Sequence, residues 1–384
     1  MIGKYSVFVP EIKGDFSEEW RQCLKQIVYD QDTGFRLIKL NIFIDLPDYD
    51  IYIKDRKVID KSIHNAFGRK CPAFNISVHP PEKPWKITVE AAYAVADSLN
   101  VTSKVWNSIP YVVCESDFGK EIWACGLGFG LFYSDTKNAA SAAFDQMKAI
   151  LDVEGMSFNH LVRQWNYIGN ILEIKKGVQN YQVFNKVRSE VYQKYRTIHG
   201  YPAATGIGMK LDGVSLDFCA VMAKESVTIK TIDNPNQVNP YEYGQEVLRV
   251  VAGKGKSIKY HPLFERALLM TGKRSSTLFI SGTASIIGQD ITGLEDVEKQ
   301  TVVTLDNIDK LTGKKRIGDI TGKTDKEWGK FILLRVYVKN QDDFAKVKTI
   351  CQQRFPGVPS IFVQSDICRD NLLVEVEAEF LIKN

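Results

Sequence analysis

The chain has 384 residues, of which 44% are hydrophobic, and a formal net charge of +4. This length can bury more than one core, so we expect two or three domains. The small charge, with no basic block interleaved with aromatic residues, argues against a nucleic-acid partner. The seven cysteines contain no C-x-x-C and suggest a reducing compartment, and the five histidines show no metal-ligand spacing.

The start of the chain has no basic segment followed by an apolar core, and no apolar run approaches the length of a membrane span. We therefore expect a cytoplasmic protein with no membrane partner, no metal and no cofactor.

Apolar periodicity predicts an alternation of helices and strands along the first hundred residues. The expected elements are helix Ser17–Val28, strand Arg36–Asp45, helix Arg56–Ala66, and strands Phe74–Val78 and Trp85–Ala91.

A similar order follows twice more, first in the middle of the chain and then near its C-terminus. The middle copy comprises strand Glu121–Cys125, helix Lys137–Leu151, strand Leu161–Tyr167, helix Tyr181–Tyr195 and strand Val214–Met222. The last copy comprises strand Thr277–Ser281, helix Asp296–Lys310, strand Phe331–Val338, helix Asp342–Arg354 and strand Leu372–Phe380.

These repeats predict an α/β fold built of repeated units, each a mixed β-sheet with two helices packed on one face. We divide the chain into an N-terminal α/β segment (1–105), a structural domain (106–225) and a catalytic domain (226–384). Aligning the last two copies places Asn185 opposite Lys348 and Asp217 opposite Glu375.

Two glycine-rich runs could suggest a phosphate-binding loop. In Gly126–Gly130 the third glycine is misplaced for G-x-G-x-x-G and no helix opens directly on it, so a turn or bulge is favoured. The run Thr205–Gly208 has no lysine-bearing P-loop around it.

The closing strand of the last copy carries the most informative pattern. Leu373–Phe380 alternates apolar and acidic residues, which places Glu375 and Glu377 on one face, and Cys368 precedes Glu375 by a short polar turn. A strand end with two ionisable groups beside it is one way to build a rigid site. The alternative is an edge strand with solvated glutamates and a buried structural cysteine.

Nine stretches in register resemble the chorismatase family, whose members act on the enolpyruvyl ether of chorismate and are built on the RidA/YjgF-like fold. The stretches are Trp165–Tyr167, Tyr181–Arg188, Pro202–Gly208, Asn234–Pro235, Phe264–Ala267, Leu278–Ala284, Leu305–Asn307, Val336–Val338 and Asp366–Glu377. The resemblance covers about residues 105 to 384. The first hundred residues resemble the family far less clearly and are read as a degenerate unit of the same fold.

The resemblance implies that Glu375 is the catalytic acid and that the substrate is chorismate. Cleaving an enol ether needs a carboxylic acid that stays protonated near neutral pH, which a poorly solvated position provides. A cysteine at the position of Cys368 resembles the subgroup that forms 3-hydroxybenzoate with release of pyruvate. Members with a small inert residue there form a dihydroxycyclohexadiene carboxylate instead. We expect the thiol to steer the product.

The resemblance also implies a set of substrate-binding residues. Arg266 matches a family arginine that anchors a carboxylate, and Lys348 stands where the family has another arginine. Tyr243 matches a substrate-contacting tyrosine, although the following segment Gly244–Lys259 departs from the family. Gly282 and Thr283 are expected to offer backbone N–H groups and a hydroxyl to the cleft.

Two other functions stay open at this level. A RidA-type imine deaminase would use an arginine before the closing strand, and Pro359–Val363 holds none. A metabolite-binding module without activity is the second. The fold family implies a homotrimer with clefts between subunits, and the middle copy, which has Asp217 but no matching Cys–Glu pair, is expected to be structural.

Overall fold

The computed structural model describes residues 2–30, 34–46, 48–95, 100–116, 118–128, 135–248, 259–313, 317–318 and 329–383. Three mixed sheets of four, six and six strands follow one another along the chain. We call each sheet with its two helices a unit.

Unit 1 is the shortest. It contains β1 (Ile2–Phe8), α1 (Phe16–Tyr29), β2 (Phe35–Ile44), α2 (Tyr49–Phe67), β3 (Ala73–Ser77) and β4 (Ile87–Val95).

Unit 2 begins with a hairpin at the sheet edge. It contains β5 (Asn100–Trp106), β6 (Ile109–Ser116), β7 (Gly119–Leu127), α3 (Thr136–Val153), β8 (Leu161–Gly169), β9 (Ile174–Lys175), β10 (Val178–Gln179), α4 (Asn180–Tyr195), β11 (Ala203–Met209) and β12 (Val214–Ala223).

Unit 3 repeats this plan. It contains β13 (Thr228–Ile232), β14 (Ala267–Thr271), β15 (Ser275–Ala284), β16 (Ile286–Ile287), β17 (Asp290–Ile291), α5 (Val297–Leu311), β18 (Lys330–Val338), α6 (Phe344–Arg354), β19 (Ser360–Gln364) and β20 (Val374–Lys383).

The three sheets share one strand order. It reads β1-β4-β2-β3 in unit 1, β7-β12-β8-β11 in unit 2 and β15-β20-β18-β19 in unit 3. In each unit the last pair of that order is parallel and the other pairs are antiparallel. The predicted fold class is therefore confirmed, and the first unit has the plan of the other two. The domain division stays a prediction, and β5 already begins at Asn100.

Several helices begin at aspartates that satisfy the free backbone donors of the first turn. The carboxylates of Asp15, Asp135 and Asp296 accept backbone N–H groups at the starts of α1, α3 and α5. The apolar face of each helix then packs on one side of its sheet, which gives every unit a separate helix–sheet core.

The opposite faces of the three sheets pack against one another. A central core draws on all three units, with Phe43 from unit 1, Trp123 and Trp165 from unit 2, and Phe279 and Tyr337 from unit 3. The closing strands β4, β12 and β20 lie within the sheets, so their inward side chains meet near the centre. The alternation around Glu375 therefore belongs to a central strand, not to an edge strand with solvated glutamates.

The glycine-rich run begins inside β7, where Gly126 lies at a register shift between β7 and β12, the bulge that the sequence offered beside a turn. Gly126 and Gly128 have φ values of +71° and +81°, a region that favours glycine, and Phe129 and Gly130 lie outside the described residues. None of the helices in the described part of the chain is long and apolar enough to cross a membrane.

Candidate active site

A cleft of about 930 Å³ lies between unit 2 and unit 3. Unit 3 contributes β15, the β16–β17 hairpin and the loop before β20. Unit 2 contributes the start of α4 and one face of β11. This volume is in the range of small-molecule sites. Five of the predicted residues line it, namely Glu375, Cys368, Arg266, Tyr243 and Gly282.

Glu375 lies on β20 between its neighbours Ala284 of β15 and Tyr337 of β18. The residue is 5% exposed, and burial raises the pKa of its carboxyl to about 8, although the charges of Arg266 and Arg163 oppose the shift. No hydrogen bond or ion pair joins this carboxyl to another described residue. At pH 7 it is therefore a carboxylic acid that faces the cleft with its proton available.

Gly282 makes room for that acid. A Cβ atom at position 282 would stand 2.0 Å from Glu375 Oε1, so any larger residue would displace the carboxyl. The expectation that Gly282 and Thr283 offer free donors is wrong, because both groups are already engaged. The Gly282 N–H donates to Thr205 Oγ1 at 3.0 Å, and the buried Thr283 hydroxyl donates to the Ser281 carbonyl at 2.9 Å.

Cys368 lies in the loop before β20 and lines the same cleft as Glu375. Burial, with a contribution from the charge of Glu375, raises the pKa of its thiol to about 12. Cys368 is therefore a neutral thiol at physiological pH. It can donate or pass a proton, but it lacks the thiolate character of a cysteine nucleophile.

Arg266 and Tyr243 form one side of the cleft. Arg266 Nη2 donates to the Tyr243 hydroxyl at 2.7 Å and to the Val238 carbonyl, and no described carboxylate pairs with this arginine. Tyr243 is buried, and its carbonyl is 2.9 Å from His261 Nε2. Residues 249–258 of the divergent segment lie outside the described residues.

Arg369 is a cleft residue that the sequence reasoning did not single out. Its guanidinium lies 4.8 Å from the centre of the Tyr243 ring, and Nη1 donates to the Gln289 carbonyl at 2.8 Å. Two arginines therefore flank one tyrosine, and no described carboxylate neutralises either. Arg369 directly follows Cys368 within the matched stretch Asp366–Glu377. This position in the sequence could have identified it as a candidate cleft residue.

Tyr181 was also missed. It begins the matched stretch Tyr181–Arg188, and its ring lines the cleft at the start of α4. Burial raises the pKa of its hydroxyl, with further contributions from the charges of Cys368 and Glu375. Tyr181 is thus a neutral phenol on the unit 2 wall, opposite the acid and the thiol of unit 3.

Lys348 does not lie in this cleft. It sits on α6 with its Nζ 2.7 Å from Glu82 Oε2, in the contact between unit 3 and unit 1. The helix that reaches the Glu375 cleft is α4 of unit 2, which carries Asn185 at the matching position. The packing therefore assigns Lys348 to a different groove, and the correspondence of Asn185 with Lys348 stays a prediction.

Two other expectations need revision in physical terms. Both walls of the cleft, as the structure describes it, come from one chain, and the homotrimer stays a prediction. Pro359–Val363, whose lack of arginine argued against a deaminase, enters β19 and lies away from this cleft. Strand β11 is the wall at the cleft and also holds no arginine, whereas Arg369 does reach it.

No cluster of three or more histidine, cysteine, aspartate or glutamate side chains suited to a metal occurs among the described residues.

Comparisons with known proteins agree with this architecture. Residues 129–220 match the family model described as chorismatase FkbO/Hyg5-like, N-terminal. A 3-hydroxybenzoate synthase from Streptomyces hygroscopicus is 28% identical over 246 residues, which cover 62% of this chain and 68% of that protein. A chorismatase from Streptomyces rapamycinicus is 30% identical over 235 residues, which cover 59% of this chain and 66% of that protein.

A solved chorismatase structure superposes over the whole molecule. It covers 99% of both chains with a TM-score of 0.66 at 20% sequence identity, so unit 1 also has a counterpart there. A solved Rid-family protein from Yersinia pestis covers 41% of this chain and 100% of its own, with a TM-score of 0.27. The chain is therefore similar in sequence to chorismatases and has the fold of the solved one.

Proposed function

We propose that this protein is a chorismatase that releases pyruvate from chorismate and forms 3-hydroxybenzoate. The observation that carries the proposal is a carboxylic acid, Glu375, held protonated in a cleft that also presents Arg266 and Arg369, for which the structure describes no carboxylate partner. Chorismate is a dicarboxylate with an acid-labile enol ether, and this combination of groups suits it. The names of the curated relatives point to the same substrate.

The first step is proton transfer from Glu375 to the methylene carbon of the enolpyruvyl group. The proton leaves a carboxyl whose anion is poorly solvated, so its acid form persists at neutral pH. The product is an oxocarbenium ion, and the Glu375 carboxylate formed beside it offsets its charge.

Arg266 and Arg369 are the proposed carboxylate anchors. A guanidinium can donate two parallel hydrogen bonds to a carboxylate, and both side chains are held in place by Tyr243, through a hydrogen bond and through ring contact. Holding both ends of the substrate fixes the vinyl carbon near Glu375.

The fate of the cation decides the product, and Cys368 is the proposed determinant. Pyruvate and 3-hydroxybenzoate together contain the atoms of chorismate, so that route consumes no water. The route to pyruvate and a dihydroxycyclohexadiene carboxylate consumes one water molecule. A neutral thiol in the cleft can occupy the place of a water molecule and pass a proton during aromatisation.

The test is incubation with chorismate, quantification of pyruvate and chromatographic identification of the aromatic or diene product. We expect equimolar pyruvate and 3-hydroxybenzoate, a rate that falls as pH rises through about 8 because Glu375 loses its proton, and no turnover by Glu375→Gln. Full turnover by Glu375→Gln would refute the mechanism. Ammonia release from the imine of a 2-oxo acid, without pyruvate from chorismate, would favour the deaminase. Neither activity would favour a binding module.

A further inference from the structure

The inner faces of the three sheets carry charged side chains at matching positions. Each unit has one cation at the same register position of its inner strand. These cations are Lys39 on β2, Arg163 on β8 and Arg335 on β18. The residues directly opposite these cations on the closing strands are Ala92, Cys219 and Glu377. Two residues earlier on each closing strand stands an acid, and these three are Glu90, Asp217 and Glu375.

In two of the three contacts between units, the cation of one unit pairs with the acid of the next. Arg335 of unit 3 donates to both oxygens of Glu90 in unit 1, at 2.7 and 2.6 Å. Lys39 of unit 1 lies 3.2 Å from Asp217 in unit 2. By the same geometry, Arg163 of unit 2 is the cation expected to pair with Glu375 of unit 3.

Arg163 instead forms its ion pair with Glu377. The Glu377 carboxylate also accepts from Arg335, from the Thr205 hydroxyl and from Trp165 Nε1 at 3.0 Å. Units 1 and 2 have Ala92 and Cys219 at the position of Glu377, and neither side chain offers an anion at neutral pH. Only unit 3, within the part of the chain that the structure describes, has a second acid that engages the incoming arginine.

We infer that Glu377 is a positioning residue that holds Arg163 away from Glu375 and so preserves the acid form that the chemistry requires. The inference rests on the proposed role of Glu375. Without Glu377, Arg163 would pair with Glu375 as its counterparts pair with Asp217 and Glu90. An opposite charge at ion-pair distance lowers a carboxyl pKa by about 1 to 3 units, which would leave about half or more of Glu375 ionised at pH 7.

The remaining groups around Glu375 cannot replace this arrangement. The titratable and charged side chains that face it from the packed elements are Tyr337 of β18, Tyr181 of α4, Cys368 and Arg369 of the preceding loop, Arg266 before β14 and Arg163 of β8. The phenols and the thiol are neutral at pH 7. Arg266 is held by Tyr243 and Val238, so Arg163 is the cation whose partner can change.

The experiment is a pH titration of Glu375 in the wild type and in Glu377→Gln, which keeps the shape and removes the charge. The carboxylic-acid band of Glu375 is followed by difference infrared spectroscopy against the matching Glu375→Gln protein, and the pH dependence of chorismate turnover is measured in parallel. We expect the midpoint to fall from about 8 by about 1 to 3 pH units, with turnover reduced by about half or more at pH 7 and about half or more of it retained at pH 5.

Three further variants make the result specific. Adding Arg163→Gln to Glu377→Gln should return the midpoint to about 8 or above, because the competing cation is gone. Glu377→Asp, which keeps the charge and shortens its reach, should shift the midpoint less in the same direction, and it serves if Glu377→Gln fails to fold. Glu379→Gln, on the same strand but bonded to Tyr5 at 2.6 Å and not paired with Arg163, should shift the midpoint far less than Glu377→Gln does.

An unchanged Glu375 midpoint in both Glu377 variants would overturn the inference, as would a loss of turnover that is equal at every pH. The infrared titration does not depend on substrate. A protein without chorismate turnover whose Glu375 midpoint still shifts would therefore contradict the proposed function and support the role of Glu377.

Discussion

Replacing Glu375 by glutamine should stabilise the folded protein at neutral pH while it removes the catalytic acid. The pKa of this carboxyl is about 8 in the folded chain and about 4.5 when unfolded. The unfolded state therefore releases a proton at a lower pH than the folded state does. The stability associated with this group is complete below pH 4.5 and is lost as pH rises toward 8.

Each pH unit between 4.5 and 7 costs the wild type about 1.4 kcal/mol, which amounts to about 3 kcal/mol at pH 7. Glu375→Gln removes that cost because an amide has no proton to release. Urea unfolding at pH 5, 6, 7 and 8 measures the difference. We expect the variant's advantage to be small at pH 5 and to grow with pH.

Asp217→Asn is the matched control, since Asp217 occupies the same position in unit 2. Its carboxylate pairs with Lys39 at 3.2 Å and accepts the Gly126 N–H at 2.9 Å. Removing it leaves a buried ammonium unpaired, which costs about 3 to 5 kcal/mol. A Glu375→Gln advantage that does not change with pH, or a stabilising Asp217→Asn, would refute the reasoning.

Three further outcomes follow from the cleft. Cys368→Ala should raise the share of the dihydroxycyclohexadiene product without abolishing pyruvate release, and an unchanged product mixture in this variant would contradict the role of the thiol. In the wild type, the ratio of the two products should stay constant from about pH 6 to 9, because the thiol pKa is about 12. Arg369→Met should raise KM for chorismate about 10- to 100-fold, whereas Lys348→Met should change it less than about twofold, as measured by initial rates. Gly282→Ala should lower kcat about 100-fold with an unchanged far-UV circular dichroism spectrum, because the new methyl group displaces the Glu375 carboxyl.

The elements with strong periodicity could be predicted from the sequence. Helices α3, α4 and α5 and strands β8, β12 and β18 lie within two residues of their predicted bounds. Strand β11 was missed because Ala203–Met209 contains two glycines and is mostly buried, so it shows neither high β-propensity nor alternation. Strand β19 was missed as well, since a five-residue strand after a helix gives little periodic signal.

The site was predictable where one segment supplies both the position and the chemistry. Glu375 and Cys368 are close in sequence, and the alternation of β20 gives the acid an inward direction. Lys348 was misplaced because the neighbour of each unit is set by how three sheets pack, which no local spacing encodes. Arg369 was missed because a loop arginine has no periodic signature.

The observed position of Lys348, which differs from the predicted one, shows how one contact between units can hold the chemistry while a related contact does not. Lys348 lies in the groove between units 3 and 1, the counterpart of the Glu375 cleft, where Glu90 takes the place of the acid. There Arg335 donates hydrogen bonds to both carboxylate oxygens of Glu90, and Lys348 forms an ion pair with Glu82 at 2.7 Å. In the part of this contact that the structure describes, Glu90 and Lys348 are therefore both paired within the chain, and neither is free to protonate or bind a substrate. In the cleft between units 2 and 3, Arg163 pairs with Glu377, and the carboxyl at position 375 stays protonated. Arg266 and Arg369 lie in the same cleft, and the structure describes no carboxylate partner for either.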